Sequence, residues 1–133
     1  ATYLKHSFPH IRCFSVEPNN FNDTQLSLEK NKIISIADNV KSICDALLAP
    51  QPGEMTFSIN RKILEGGLSV SDNEVKKTII FLSENLKIIA EPGGAVAAAA
   101  LLNNKLESLN KTIVVMISGG NIDNNFFANI VKS

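Results

Sequence analysis

Val75, Ile79, Leu82, Leu86 and Ile89 follow one another at intervals of four, three, four and three, while Lys76, Lys77 and Glu84 fall off that line. The spacing predicts an amphipathic helix whose apolar stripe is core. Ser71 and Glu74 mark its start as a capping box, each side chain meeting a backbone N–H of the other's turn. Val70 and Val75 are placed as a hydrophobic staple across it. Lys111 to Ile117 shows a different pattern, an unbroken apolar run of strand length, as expected of a parallel strand covered on both faces. Ser118-Gly119-Gly120-Asn121 stops that run, and Asn124 to Val131 suits a closing helix.

The rest of the pattern fills in around these two segments. Ala1 to Lys5 reads as the last turns of a helix that ends near Pro9. Ile11 to Val16 predicts a strand, closed by Glu17-Pro18-Asn19-Asn20. From Asp23 or Thr24 to about Lys30 a short surface helix carries Leu26 and Leu28, after which Ile33 to Ile36 is expected to be extended. Asp38 to Met55, interrupted by Pro50, Pro52 and Gly53, must hold a long irregular connection, and such connections are more often functional than idle. Thr56 is expected to cap a helix bearing Phe57, Ile59, Ile63 and Leu64, with Gly66-Gly67 as its stop. Pro92 suits a first helical turn, and Ala95 to Ala100 combine high helix propensity with little bulk, so this helix can approach a sheet closely. Strands alternating with helices predict an α/β fold, an open and mostly parallel sheet flanked by helices.

A length of 133 residues fits a single domain. Thirteen basic residues balance thirteen acidic ones, so the electrostatic footprint of a nucleic-acid binder or a polybasic membrane binder is missing. No apolar stretch reaches the roughly 18 residues that a membrane span requires. Cys13 and Cys44 stand far apart without other ligands at metal-binding spacing, which predicts reduced thiols and a cytoplasmic setting. His6, His10, Met55 and Met116 have no partners in the pattern; the histidines are expected at the surface and the methionines in ordinary packing. Because the chain opens in what reads as the middle of a helix, a piece of a larger polypeptide is expected.

In an open parallel sheet, ligands bind beyond the carboxyl ends of strands, where loops diverge and helix N-termini aim free N–H groups. Ser118-Gly119-Gly120-Asn121 is one such place: it presents a hydroxyl at a strand tip, and its two glycines let backbone approach a ligand or serve the turn alone. Glu91-Pro92-Gly93-Gly94-Ala95 is the other. Its carboxylate is equally readable as a cap complementing the helix dipole and as a binding group.

Val16-Glu17-Pro18, Ile36-Ala37-Asp38, Val70-Ser71-Asp72-Asn73-Glu74, Ala90-Glu91-Pro92-Gly93-Gly94-Ala95 and Ser118-Gly119-Gly120-Asn121 stand in a recognisable order and spacing. Through them nearly the whole chain resembles the threonine dehydratase and serine racemase family. The resemblance implies a pyridoxal-phosphate enzyme of fold type II, with residues 1–133 as one domain-sized C-terminal part of its larger catalytic domain. Ser118 matches the serine that hydrogen-bonds the pyridine nitrogen of the cofactor. A hydroxyl there need not hold that nitrogen protonated, so the ring is a tempered electron sink. Gly119 and Gly120 then keep bulk off the ring, Asn121 shapes the turn, and Glu91 matches an acidic residue near the cofactor. Gly93 stands where serine is common, and Asn39 where glycine often follows Ala-Asp.

The resemblance further implies a divalent cation, Mg²⁺ or Ca²⁺, on Glu17, Asp23 and the carbonyl of Phe21, all hard oxygen ligands. The residues by themselves read equally well as a solvated turn followed by a helix-capping Asp23. For the full-length parent the implied reaction is β-elimination of L-threonine to 2-oxobutanoate and ammonia. Serine racemase, or a dehydratase of serine or hydroxyaspartate, is compatible with the same Ser118, and a non-catalytic assembly or binding module is the alternative of another class. No segment resembles the family's Schiff-base lysine signature or its glycine-rich phosphate loop. The 133 residues alone are therefore expected to be catalytically silent and to need the N-terminal portion of the same polypeptide, and the full-length protein is expected to be a homo-oligomer, as the resemblance implies.

Overall fold

A computed structural model describes residues 1–37 and 39–132. Asp38, in the Ile36-Ala37-Asp38 motif, lies outside the described residues. The order is α1 (Thr2–Ser7), β1 (Phe14–Pro18), α2 (Asp23–Lys30), α3 (Glu54–Ile63), β2 (Gly66–Val70), α4 (Asp72–Phe81), α5 (Pro92–Leu102) and α6 (Asn124–Val131). β1 and β2 pair in parallel, from Phe14 opposite Gly66 to Pro18 opposite Val70. The α/β expectation holds, with a small parallel sheet between helices.

Side chains alternate across a strand. Phe14, Val16 and Leu68 face α5, whereas Glu17 and Gly67 face α2. The core gathers Val70, Val75, Ile79, Leu82, Cys44 and Ile130 around α5. Pro92 takes the first turn of α5, and its alanines are buried on nearly all sides, so the helix lies close under both strands as expected.

The capping box forms as predicted. Ser71 Oγ accepts the Glu74 N–H at 3.2 Å, and Glu74 Oε2 accepts the Ser71 N–H at 2.7 Å. Burial pushes the Glu74 carboxyl up, but the Ser71 N–H and the Lys105 ammonium, 2.9 Å away, outweigh it and hold the group below its ordinary value. Replacing Ser71 with alanine is expected to cost about 1 kcal/mol, read from the urea midpoint of unfolding.

Several expectations are corrected. Gly66-Gly67 does not end a helix: α3 ends at Ile63 and the glycines open β2. A Cβ on Gly67 would lie 2.6 Å from the Cα of Gln25, so glycine is what lets α2 cross the strand. Thr56 is not the cap of α3; extended Gly53 is, and the Thr56 hydroxyl turns back to donate to the Gly53 carbonyl at 2.8 Å. β1 runs on through Glu17 and Pro18 rather than turning there, because a proline at the last paired position leaves the ladder intact. Ile33 to Ile36 forms no regular element; its Ile36 N–H reaches the Pro50 carbonyl at 2.7 Å.

Of the apolar stripe, Val75, Ile79 and Leu82 are buried, whereas Leu86 and Ile89 are 55% and 56% exposed. A π-helical turn over Leu82–Leu86 and the left-handed Lys87 after it break the phase of the stripe. Lys111 to Ile117 pairs with no strand among the described residues. Ile113, Val115 and Ile117 turn inward, but Val114 and Met116 are 79% and 72% exposed, so the run is covered on one face. Met116 and Met55 are surface residues, contrary to expectation, while both histidines are exposed as predicted. The two cysteines are free, Cys44 buried and Cys13 half-buried. A cleft of about 540 Å³ opens between β1 and the 111–117 run, lined by Phe14, Val16, Leu68, Leu101 and Val115 among others.

Candidate functional site

The 118–121 turn and the N-terminus of α5 meet as one unit. The Glu91 N–H donates to the Gly119 carbonyl at 3.1 Å, and Glu91 Oε2 accepts the Asn121 N–H at 2.9 Å. Packing between them leaves no room for side chains. A Cβ on Gly94 would lie 2.5 Å from the Gly119 carbonyl oxygen, one on Gly119 would lie 2.5 Å from the Glu91 carboxylate, and one on Gly120 would lie 2.7 Å from the Ile89 carbonyl. No glycine here has a positive φ, so these residues supply closeness rather than an unusual backbone conformation. Glu91 is half-buried and stands at the N-cap of α5, but its side chain braces the turn and binds none of the helix's first-turn amides.

Ser118 stands at the tip of the run, exposed, and its hydroxyl has no hydrogen bond among the described residues. Thus Ser118, Gly119, Gly120 and Glu91 share one place. Glu17, Phe21 and Asp23 share another, at the start of α2, and no hydrogen bond or ion pair joins the two groups among the described residues.

At that second place Glu17 Oε1 accepts the Thr24 N–H at 3.0 Å and Oε2 the Gln25 N–H at 2.9 Å, so a residue of β1 caps α2. Asp23 is buried, and burial, followed by the nearby Glu17 charge, pushes its carboxyl up to about 6. Among the described residues no group of three or more His, Cys, Asp or Glu is arranged to hold a metal ion.

Sequence reasoning missed Asp72. It sits at the first position of α4, and both its oxygens leave the helix to bind the loop at Ser42 and Ile43. The available signal was a second carboxyl group beside an already complete capping box.

Residues 1–119 match the family described as pyridoxal-phosphate dependent enzyme. The chain belongs to that family. Its fold is that of the fold type II members. Over 123 residues, 92% of this chain and 30% of the relative, it is 35% identical to the L-threonine ammonia-lyase of Geobacter sulfurreducens. Over 132 residues, 99% of this chain and 41% of the relative, it is 35% identical to the serine racemase of Schizosaccharomyces pombe. The solved processed form of threonine deaminase isoform 2 from Solanum lycopersicum superposes with a TM-score of 0.84 at 26% identity, covering 99% of this chain and 37% of that one. The chain thus spans less than half the length of these pyridoxal-phosphate enzymes. No helix among the described residues is long and apolar enough to cross a membrane.

Proposed function

We propose that this chain is the C-terminal part of a larger cytoplasmic catalytic domain that, when intact, converts L-threonine to 2-oxobutanoate and ammonia with pyridoxal phosphate. The observation that carries this reading is the unspent Ser118 hydroxyl on a turn braced by Glu91 and the start of α5. Nothing among the described residues uses that hydroxyl, and its turn is closely packed on Glu91 and the start of α5, which fits the pyridine nitrogen of the cofactor. When bound, pyridoxal phosphate supplies an electron sink for the bond broken at the substrate's α-carbon. Ser118 contributes a neutral partner that fixes the ring's edge. Glu91 locks the turn through the Asn121 N–H, and Gly94 lets α5 sit directly beneath it.

The apolar cleft beside β1 supports the larger domain. One wall carries Phe14, Val16 and Leu68 of the two-stranded sheet and the other is the 111–117 run, which has no ladder among the described residues, a space suited to further strand from elsewhere in the same polypeptide. The assay is keto-acid release by the intact protein from threonine, serine and hydroxyaspartate. Release from threonine supports the reading; racemisation of serine without release from threonine favours the racemase instead. The 133-residue chain mixed with pyridoxal phosphate is expected to release no keto acid and to show no internal-aldimine band that later borohydride treatment fixes to one lysine.

Glu17, Asp23 and the Phe21 carbonyl form the proposed Mg²⁺ or Ca²⁺ site. Two carboxyls close enough for one to raise the other fit a divalent cation, and each Glu17 oxygen keeps a lone pair beyond the N–H it accepts. Since the folded value for Asp23 lies above its ordinary 3.8, its contribution to stability is full below 3.8 and is lost as pH rises through about 6. Added Mg²⁺ or Ca²⁺ is expected to restore stability above that range, read as a higher thermal midpoint at neutral pH. Asp23→Asn is expected to abolish both the pH-dependent loss and the cation's effect. A midpoint that ignores the cation would remove the site.

A further inference from the structure

The N-terminus of α4 has more acid than it needs. Ser71 and Glu74 already satisfy each other's backbone amides, with contacts of 2.7 and 3.2 Å. Asp72, the next residue, spends both oxygens on a loop about 30 residues earlier in the chain. Its Oδ1 accepts the Ser42 hydroxyl proton at 2.6 Å and its Oδ2 accepts the Ile43 N–H at 3.0 Å. Ser42 Oγ in turn accepts the Cys44 N–H at 3.1 Å, so one carboxylate organises three consecutive residues. From the other side Asn20 Nδ2 donates to the Lys41 carbonyl at 2.9 Å.

The organised loop leads to the candidate site. After fully buried Cys44, a single 3₁₀ turn over Asp45–Leu47 lays its side chains on α5: at Gly93 a Cβ would meet Ala46 Cβ at 3.4 Å and Leu47 Cγ at 3.5 Å. The next residue, Gly94, is the one that touches Gly119. A continuous path of hydrogen bonds and packed atoms therefore runs from the Asp72 carboxylate through residues 42–47 to the base of the Ser118 turn.

We propose that Asp72 is a positioning residue, which holds the 41–47 loop against the start of α5 beneath the Ser118 turn and so sets how well the loaded site holds its substrate. This rests on the function proposed above. Asp72 touches neither cofactor nor substrate; it acts through Ser42 and Ile43. In the intact protein, Asp72→Asn keeps the size but can accept only one of the two donors through its single side-chain oxygen.

Two readouts on the intact protein test it. In the absence of cofactor and substrate, hydrogen exchange of the peptide covering residues 40–48 is expected to quicken about tenfold in Asp72→Asn, with other peptides unchanged. In the loaded enzyme, KM for threonine is expected to rise about tenfold while kcat stays within about twofold. Ser42→Ala, a milder change at a half-buried residue should Asp72→Asn fail to fold, is expected to move both readouts in the same direction by a smaller factor. The double variant is expected to be no worse than Asp72→Asn alone. Unchanged exchange at 40–48, exchange quickened throughout the protein, a loss confined to kcat, or additive effects in the double variant would each overturn the proposal. If the unmodified intact protein acts on none of the three amino acids, the proposed function falls, and the exchange arm still decides whether Asp72 holds the loop.

Discussion

Placing one methyl group at position 94 is expected to cost the chain more stability than any other single change in the candidate site. The added Cβ of Gly94→Ala would lie 2.5 Å from the Gly119 carbonyl oxygen and 2.8 Å from the Gly119 nitrogen. Both obstacles are backbone, so no side chain can rotate away, and α5 must move off the turn. Overpacking of this kind costs about 1–3 kcal/mol and sometimes more. The neighbouring Gly93→Ala is the control. Its Cβ would meet Ala46 at 3.4 Å, an ordinary contact, and alanine is the better helix former, so stability is expected to hold or rise slightly. Urea unfolding of the two variants under one set of conditions measures the contrast. Equal midpoints would mean that α5 and the 118–121 turn are not in register as described.

The second large effect separates stability from chemistry. Ser118→Ala removes an exposed hydroxyl that bonds nothing within the described chain, so its unfolding midpoint is expected to stay within about 0.5 kcal/mol of the parent. In the intact protein the same change is expected to lower keto-acid release from threonine about tenfold, the worth of one hydrogen bond at the ring. Paired measurement of the thermal midpoint and of kcat on one preparation distinguishes this from general damage. A large drop in midpoint would show that Ser118 is structural, and an unchanged rate would show that it does not face the cofactor.

Local patterns in the sequence reveal what is locally determined. The Ser71-Glu74 box needs only four residues to satisfy itself, and α5 needs only Pro92 and the alanines that follow; both stand where the sequence places them. The pairing of Glu91 with the 118–121 turn was legible only as two motifs of the same kind, since their contact spans 30 residues. What stayed hidden depends on distant neighbours. Gly67 reads as a helix stop because nothing near it announces that α2 crosses there, and glycine's poor strand propensity masks β2. Val114 and Met116 read as interior because an apolar run does not say which of its faces another element will cover. The two carboxyls of the α2 cluster look like one site in sequence, yet Glu17 already caps a helix while Asp23 is buried beside it, an asymmetry that only the crossing of β1 and α2 creates. Asp72 looks like one more acidic residue in a helix's first turn until Ser42 and Ile43 are seen hanging from it.

The most direct test is a crystal structure of the intact protein with pyridoxal phosphate bound. The oxygen of Ser118 is predicted to lie within about 3.2 Å of the pyridine nitrogen, with Glu91 still accepting the Asn121 N–H below the ring. A ring seated elsewhere, or a separation beyond about 3.6 Å with no bridging water, would contradict the account.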